Sequence, residues 1–562
     1  MREGAARLPS LLCRSFPDAT YGGAFAALQN DFGRVAPFFA YNPADPAACA
    51  ARAAEVDAAW SGPEAATRRR KLADALTRYL TGIGGSPAQL AAAERLADPR
   101  SLAIVTGQQA GLLTGPLLTI YKAITAIRVA ADVQERLQRP VVPVFWIASE
   151  DHDFAEINQV RAVDAAERPV RLRLPPMPNR RSVGDIPVPA AARHLVGAAV
   201  SLVPPEAADA DAVQWLRSSL DTSLKRRESL AAWFARLLAT LFADRGLVLL
   251  DPMLPELREL AAPVFAQAPS QAAAVNAALA EAAAQLRGAG LTPGLALEPD
   301  HLHVFYHDER ERVALFHEGA EGVRARHGEV AFSPTEYARA VADRPGAFSP
   351  GVVLRPVVQD AILPTYCQIS GPGEAAYLAQ MKRVFPLFGR SMPVIYPRLG
   401  ATLALPEDLE AAASVDLELG DLRDGRWRRV VEGVVQSRSQ LDVAERFEAE
   451  RSALRQRYEN LAHELAGGVA PALRQIVERN GAHVLWQLDY LEKKATQHER
   501  RRERSLLRKV EGAAHRLFPE GHLQESSESV IPYVLRYGPW LVRELTDAVT
   551  LGGGHMLVEL RG

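Results

Sequence analysis

The sequence is short of several things, and each shortage narrows what it encodes. Only three cysteines occur in 562 residues, Cys13, Cys49 and Cys367. They are scattered, odd in number and form no C-x-x-C pair, which argues against a disulfide frame or zinc knuckle and fits a reducing compartment. No apolar run approaches the ~18 residues of a membrane span, and the opening MREGAARLPSLLCRSF has too short an apolar stretch for a secretory signal. Net charge is scarce too: 65 basic against 67 acidic side chains leave −2. No global field therefore draws the chain to nucleic acid or an anionic membrane. The expectation is a cytoplasmic protein without a nucleic-acid or membrane partner. Neither a Walker A motif nor a GxGxxG fingerprint is present. What remains is ordinary folding material, 48% hydrophobic and long enough for more than one domain.

The most informative stretch is 101–156. Residues 102–105 and 141–148 are apolar runs of strand type. Between them Leu117, Ile120, Tyr121, Ile124, Ile127 and Ala131 recur at helical spacing behind Gly115 and Pro116. Strand, glycine-rich turn, helix, strand and acidic turn form a βαβ unit. Its right-handed crossover puts both strand ends on one sheet edge, where α/β folds bind ligands. GLVLLDP at 246–252 repeats the pattern and adds Asp251 to that edge. So does the strand at 365–369, which runs into the turn Ser370, Gly371, Pro372, Gly373, Glu374 and then a helix. Just before it, an apolar segment carrying Arg355 and ending near Gln359 and Asp360 reads as one more strand.

Elsewhere the reading is coarser. Residues before about 100 look mostly helical and suited to capping the sheet. Residues 169–174 and 181–188 suit a β-hairpin across PPMPN, 210–245 and 254–288 are helical, and 301–316 is a hairpin with DERE at its tip. From about 412 an apolar stripe of Leu441, Phe447, Leu454, Tyr458, Leu461 and Leu465 is broken by GGVAP. It resumes at Leu473, Ile476, Val484, Leu488 and Leu491, as in a helical hairpin of coiled-coil character. Its densest charge, HERRRERSLLRK, is interleaved with Glu499 and Glu503 and reads as a solvated face. Beyond 518 the composition is mixed again, and GGGHMLVEL suits a strand.

Candidate chemistry follows from the turns. Gly107, Gly111 and Gly115 either expose backbone N–H groups to a phosphate or carboxylate, or simply make a tight turn. Lys122, near the helix start, is either in reach of a phosphate or merely solvated. Glu150, Asp151, His152 and Asp153 would repel one another when ionised, so magnesium, a substrate ammonium, an arginine or water must compensate them. Arg355 needs a partner, either a protein carboxylate or an anionic substrate. His301 and His303, on an alternating strand, read as structural, and Cys367 as an inert buried thiol.

The segments VTGQQAGLLTGPLLTIYKAITAI, VFWIASEDHDFAEIN, LRPVVQDAILPT, SGPGEAAY and HERRRERSLLRKVEGAAHRLFPEGHLQE together resemble the cysteine ligase family of bacillithiol biosynthesis, the BshC family, over nearly the whole chain. The resemblance implies an α/β fold: a Rossmann-like parallel-sheet core with connecting-peptide insertions akin to class I aminoacyl-tRNA synthetases, plus an α-helical coiled-coil domain used in homodimerisation. The expected layout is a core over 1–405 with insertions at roughly 160–245 and 253–345, a coiled coil over 406–517, and a segment 518–562 returning to the core. Ser370 stands where the family more often has glycine, and neither a HIGH nor a KMSKS signature is present. The implied reaction joins cysteine to glucosaminyl malate to give bacillithiol, with ATP activating the carboxyl and Mg2+ as a further candidate. By motif position, the catalytic candidates are Asp151, His152, Asp153 and Arg355. The cofactor-binding candidates are Gly107, Gln108, Gln109, Gly115, Lys122, Gly371, Gly373 and Glu374, and no residue is assigned as a metal ligand. Two other classes compete: a metal-dependent amidohydrolase built on residues 150–153, and a nucleotide-binding coiled-coil scaffold without ligase activity.

Overall fold

The two apolar runs of the βαβ unit are strands β1 (Leu102–Gln108) and β2 (Val141–Ile147), in a computed structural model that describes residues 10–177, 181–308, 311–326, 330–438, 443–552 and 554–561. Every residue of β2 and the first five of β1 are buried, because both faces of a parallel sheet are covered and leave no polar side to alternate. Helix α1 (Leu117–Leu137) crosses between them. Strands β3 (Val248–Leu250), β4 (Thr365–Ser370) and β5 (Val394–Pro397) complete a five-stranded sheet of order β5-β4-β1-β2-β3, parallel throughout. From β1 the chain moves outward to β2 and β3, then returns to lay β4 on the other flank of β1. The β1/β4 gap is thus the topological switch point, where a crevice opens at the carboxyl ends of the strands. In-register pairing from Leu102 opposite Val141 to Gln108 opposite Ile147 keeps those ends level.

Three further sheets accompany this one among the described residues. An inserted antiparallel sheet has the order Ala331–Phe332, Val323–Ala325, Arg312–His317, His301–His307, Phe348–Pro350. A three-stranded sheet puts His555–Arg561 between Ser10–Ser15 and Gly400–Ala404. Gln159–Val163 pairs with Pro169–Arg173. The chain divides into two compact units, one of Met1–Ala404 with Leu523–Gly562, the other of Leu405–His522. In the second, α4 (Val443–Gly468) and α5 (Leu473–Leu517) form a hairpin. Its seam is tight enough at Gly481 that a β-carbon there would meet the Tyr458 ring at 2.9 Å.

Several expectations need correcting. The segment carrying Arg355 is a helix, α2 (Leu354–Ile362), and not a strand. Its paired valines favour a strand by propensity, but the segment is buried as a helix nearly all round, only Arg355 being half-exposed. Residues 169–173 pair with the preceding strand and not with 181–188, where Val183–Asp185 is a single 3-10 turn. The N-terminal region is mostly helical, as expected, and adds one strand, Ser10–Ser15, whose partner lies at the far end of the sequence. Leu441, parts of PPMPN and DERE, and one glycine of GGGH lie outside the described residues, as do the side chains of Glu499, Arg500, Arg502 and Glu503.

Candidate functional site

At the switch point the strand-end turns and the inserted sheet enclose a cleft of about 820 Å3. Gly107, Gln108 and Gln109 reach it from β1, Glu150, Asp151 and His152 from β2, and Arg355, Glu374 and Tyr377 from α2 and helix α3 (Pro372–Leu378). The opposite wall carries His301, His303, Phe305 and Arg312.

The glycine-rich turn is less open than its composition suggests. Gly115 has φ +69°, and a β-carbon at Gly111 would lie 2.8 Å from the Gly115 α-carbon, so the two glycines pack backbone to backbone. The first free N–H of α1, that of Leu117, donates to the Glu528 carbonyl at 2.7 Å, and Ser529 Oγ donates to the Leu113 carbonyl. The start of α1 is therefore capped from the C-terminal segment, and Gly115 does not line the cleft. Lys122 is buried. Its ammonium faces three acceptors, Gly107 O at 2.8 Å, Gln108 Oε1 at 2.7 Å and Glu374 Oε2 at 2.7 Å. Three N–H groups meet three acceptors, so Lys122 ties the turns after β1 and β4 together and keeps no donor for a phosphate. Burial lowers its pKa, against the pull of Glu374. Glu374 also accepts from the Gly371 N–H at 2.8 Å, which closes the second glycine turn, while Gly373 is exposed.

The acidic turn separates into distinct environments. Asp151 Oδ2 accepts from Gln109 Nε2 at 2.5 Å, and Oδ1 accepts from the His152 N–H at 2.7 Å. Asp153 is exposed and accepts from the Glu156 N–H at 3.2 Å, a helix N-cap that does not line the cleft. His152 Nδ1 lies 3.1 Å from Arg312 Nη1. Because a guanidinium only donates, Nδ1 is the acceptor and the ring carries its proton on Nε2. Arg312 itself is buried. It donates to Ser349 Oγ and the Pro350 carbonyl and stacks 3.9 Å over the Phe305 ring. The repulsion anticipated at this turn is thus answered by arginine, with Arg312 Nη1 3.8 Å from Asp151. Among the described residues no group of three or more His, Cys, Asp or Glu is placed to hold a metal ion, so the acidic turn does not fit Mg2+.

Arg355 differs from Lys122 and Arg312, which both have a carboxylate within ion-pair distance. Arg355 Nη1 donates to Gln359 Oε1 at 3.1 Å, one helical turn on, and Nη2 to the Tyr377 hydroxyl at 3.1 Å. Both partners are neutral, and among the described residues no carboxylate lies within ion-pair distance. Asp360 on the same helix, by contrast, is buried between Arg52 at 2.6 Å and Arg390 at 3.3 Å. Burial works against the Arg355 charge, but Tyr377 and Glu374 outweigh it and hold the guanidinium above its ordinary pKa.

Sequence reading missed Tyr377, Phe305 and Arg312. His301 and His303, read as structural, both line the cleft. His303 is in addition fixed by Asn276 at 3.0 Å, and burial pushes its pKa down to about 3. A β-bulge there, with His303 at φ +58°, breaks the simple alternation that would have sorted the strand's faces.

A parallel sheet with its crevice at the switch point, roofed by an inserted sheet, defines a Rossmann-like ligand-binding protein carrying a separate coiled-coil unit. Comparison with known families makes this specific. Residues 19–399 match the family described as "Bacillithiol biosynthesis BshC, N-terminal Rossmann-like domain", and residues 409–560 match its "C-terminal coiled-coil domain". The chain belongs to the BshC family. A relative from Symbiobacterium thermophilum is 37% identical over 551 residues, covering 96% of this chain and 98% of the relative. Relatives from Desulforamulus reducens (32%, 95% and 97% covered) and Salinibacter ruber (31%, 99% and 98%) are similar over the same extent. All three carry the name "Putative cysteine ligase BshC".

Proposed function

We propose that the switch-point cleft is the active site of a cytoplasmic ligase that joins cysteine to glucosaminyl malate, with ATP activating the cysteine carboxyl. The observation that carries this reading is Arg355: a half-buried guanidinium facing the cleft, held by neutral partners and lacking a carboxylate. A fork of donors with spare N–H groups suits a carboxylate or phosphate, and each substrate of this reaction carries one or the other. The name shared by the relatives supports the cysteine-ligase reaction class.

The capped α1 start and the saturated Lys122 offer nothing to a phosphate, so Arg355 is the group on this side of the cleft that fits an anionic moiety of ATP or of the acceptor. ATP, when bound, supplies the leaving group that a free carboxylate lacks. The chain's own residues do the rest. Asp151, held by Gln109, faces the cleft as an acceptor for the cysteine ammonium, and His152, fixed as the Nε2–H tautomer by Arg312, is a neutral donor for a developing carbonyl oxyanion. Lys122 keeps the two turns in register.

We also propose a homodimer formed through the coil. Ile476 is 62% and Trp486 58% exposed, and His483, Trp486 and Tyr490 stack along the outer face of α5. Residues 476, 483 and 490 are a heptad apart, the spacing of a seam that a second copy would cover. Among the described residues no helix is long and apolar enough to cross a membrane.

The deciding experiment incubates purified protein with ATP, cysteine and glucosaminyl malate, and follows the thiol product and AMP or ADP by mass spectrometry. Product that depends on all three substrates is expected. Nucleotide turnover indifferent to cysteine, with no new thiol, would refute the assignment.

A further inference from the structure

The carboxylates of the cleft are not equivalent. Asp151 is engaged by Gln109 and by the His152 N–H, Glu156 by Gln109 at 2.9 Å, Glu374 by Lys122 and Gly371, and Glu298 by Arg326, while Glu311 is exposed to solvent. Glu150 is different. It follows β2 directly, lines the cleft, is only 3% exposed, and its Oε2 has no hydrogen-bond partner among the described residues. A buried carboxylate oxygen left unmatched is costly and calls for an explanation, and a donor arriving with the substrate is one. The charges around it come from four other elements: Arg258 on helix Pro255–Gly288, Arg312 on the inserted sheet, Arg355 on α2 and Asp251 after β3. None is within ion-pair distance, so the arginines favour its charge without occupying the oxygen.

We infer that Glu150 is the general base that removes a proton from the ammonium group of the acceptor amine; this deepens the ligase reading above and rests on it. An ammonium has no lone pair, so amide formation at neutral pH needs a base to accept its proton, and a carboxylate placed at the amine can serve. Once one proton has passed to Glu150, the amine nitrogen attacks the activated cysteine carbonyl carbon. The C–N bond forms, the C–O bond to the phosphate-bearing leaving group breaks with its electron pair going to oxygen, and the second amine proton leaves to water. Burial raises the Glu150 pKa, with Arg258 and Arg312 opposing, and this moves its basicity toward the range useful at neutral pH.

Hydroxylamine separates the base from the rest of the machinery, because it is already unprotonated at neutral pH and captures activated cysteine as the hydroxamate without help. Glu150→Gln should lose about 100-fold in amide formation with glucosaminyl malate at pH 7 while keeping hydroxamate formation within a few-fold. Its amide rate should climb about tenfold per pH unit toward the acceptor's own amine pKa. Glu150→Asp, which retains a carboxylate, should recover at least about tenfold over the glutamine variant. Equal loss of both products in both variants would overturn the base assignment in favour of a scaffold role, and so would amide formation unchanged in Glu150→Gln. Wild-type protein that forms neither product would sink the ligase reading itself, and this inference with it.

Discussion

Replacing Arg355 by methionine tests the most consequential side chain of the cleft, because it should separate affinity from stability. On the protein side, the change removes two hydrogen bonds to neutral partners, Gln359 and Tyr377. Charged-to-neutral bonds contribute about 1.5–3 kcal/mol each, but removing a half-buried cation that has no carboxylate partner returns part of that as recovered desolvation cost. The net change in folding free energy should stay within about 2 kcal/mol, a melting shift of no more than about 8 °C. On the ligand side nothing offsets the loss. A bidentate guanidinium–anion contact of two charge-assisted bonds is worth about 3–6 kcal/mol, so kcat/KM should fall by roughly 10²–10⁴. Arg355→Lys keeps the charge without the fork and should fall between. Melting and steady-state kinetics on one preparation decide the matter. If kcat/KM stays within threefold of wild type, or if melting collapses in step with activity, Arg355 is a structural residue and the reasoning fails.

Three other outcomes are expected. Asp151→Asn should cut product formation at least tenfold, whereas Asp153→Asn, which exchanges one good N-cap for another, should leave turnover per folded molecule unchanged; equal effects in the two variants would contradict the division of the acidic turn. Glutamate at Trp486 and Tyr490 should give a monomer by light scattering with near-normal melting, since both side chains are exposed, while lysine at the half-buried Leu454 should instead unfold the coil hairpin; an unchanged mass in the first variant would rule out this dimer face. Burial depresses the pKa of His303 and His307 to about 3 and of His555 to about 4, below the unfolded value of about 6.5. Their contribution to stability is therefore present above pH ~6.5 and lost as pH falls toward 4 and 3. Urea melts between pH 7 and 4 should show this slope, shallower in His555→Gln, and an identical slope in that variant would contradict the burial argument for His555.

Much of the core was legible because a parallel sheet leaves a plain signature. The apolar blocks of β1 and β2 flanking a helical period admit few alternatives to a βαβ unit, and its chirality puts Gln108, Gln109 and Asp151 on one edge. Arg355 stood out as a charge in an apolar segment, but the valine pairs around it favour a strand locally. Only tertiary packing, which buries every residue of 354–362 except Arg355, turns the segment into a helix. The opposite wall was not legible. Phe305 and Arg312 lie roughly 200 residues downstream of β1 on an inserted sheet, and nothing in a hairpin's alternation says which face will meet a distant crevice. The docking of Glu528 and Ser529 on the glycine turn was hidden for the same reason: backbone carbonyls that cap a helix from afar carry no residue signature.

That docking has a consequence for how the molecule is made. Arg398 pairs with Glu525 at 2.7 Å, both deeply buried, Glu528 caps α1, and Arg14 reaches Glu559 across 545 positions. The residues that close the Rossmann-like unit are therefore translated only after the whole coil, and a nascent chain emerging N-terminus first holds an α1 start with no cap and a buried arginine with no counter-charge. Loop closure over such a distance costs little more than over a tenth of it, about 2 kcal/mol by the logarithmic law, so the delay is one of timing more than of equilibrium. Until the last strand arrives the sheet edge at Ser10–Ser15 is unpaired, and in that interval a chaperone, or a neighbouring copy of the same unfinished chain, finds its opening.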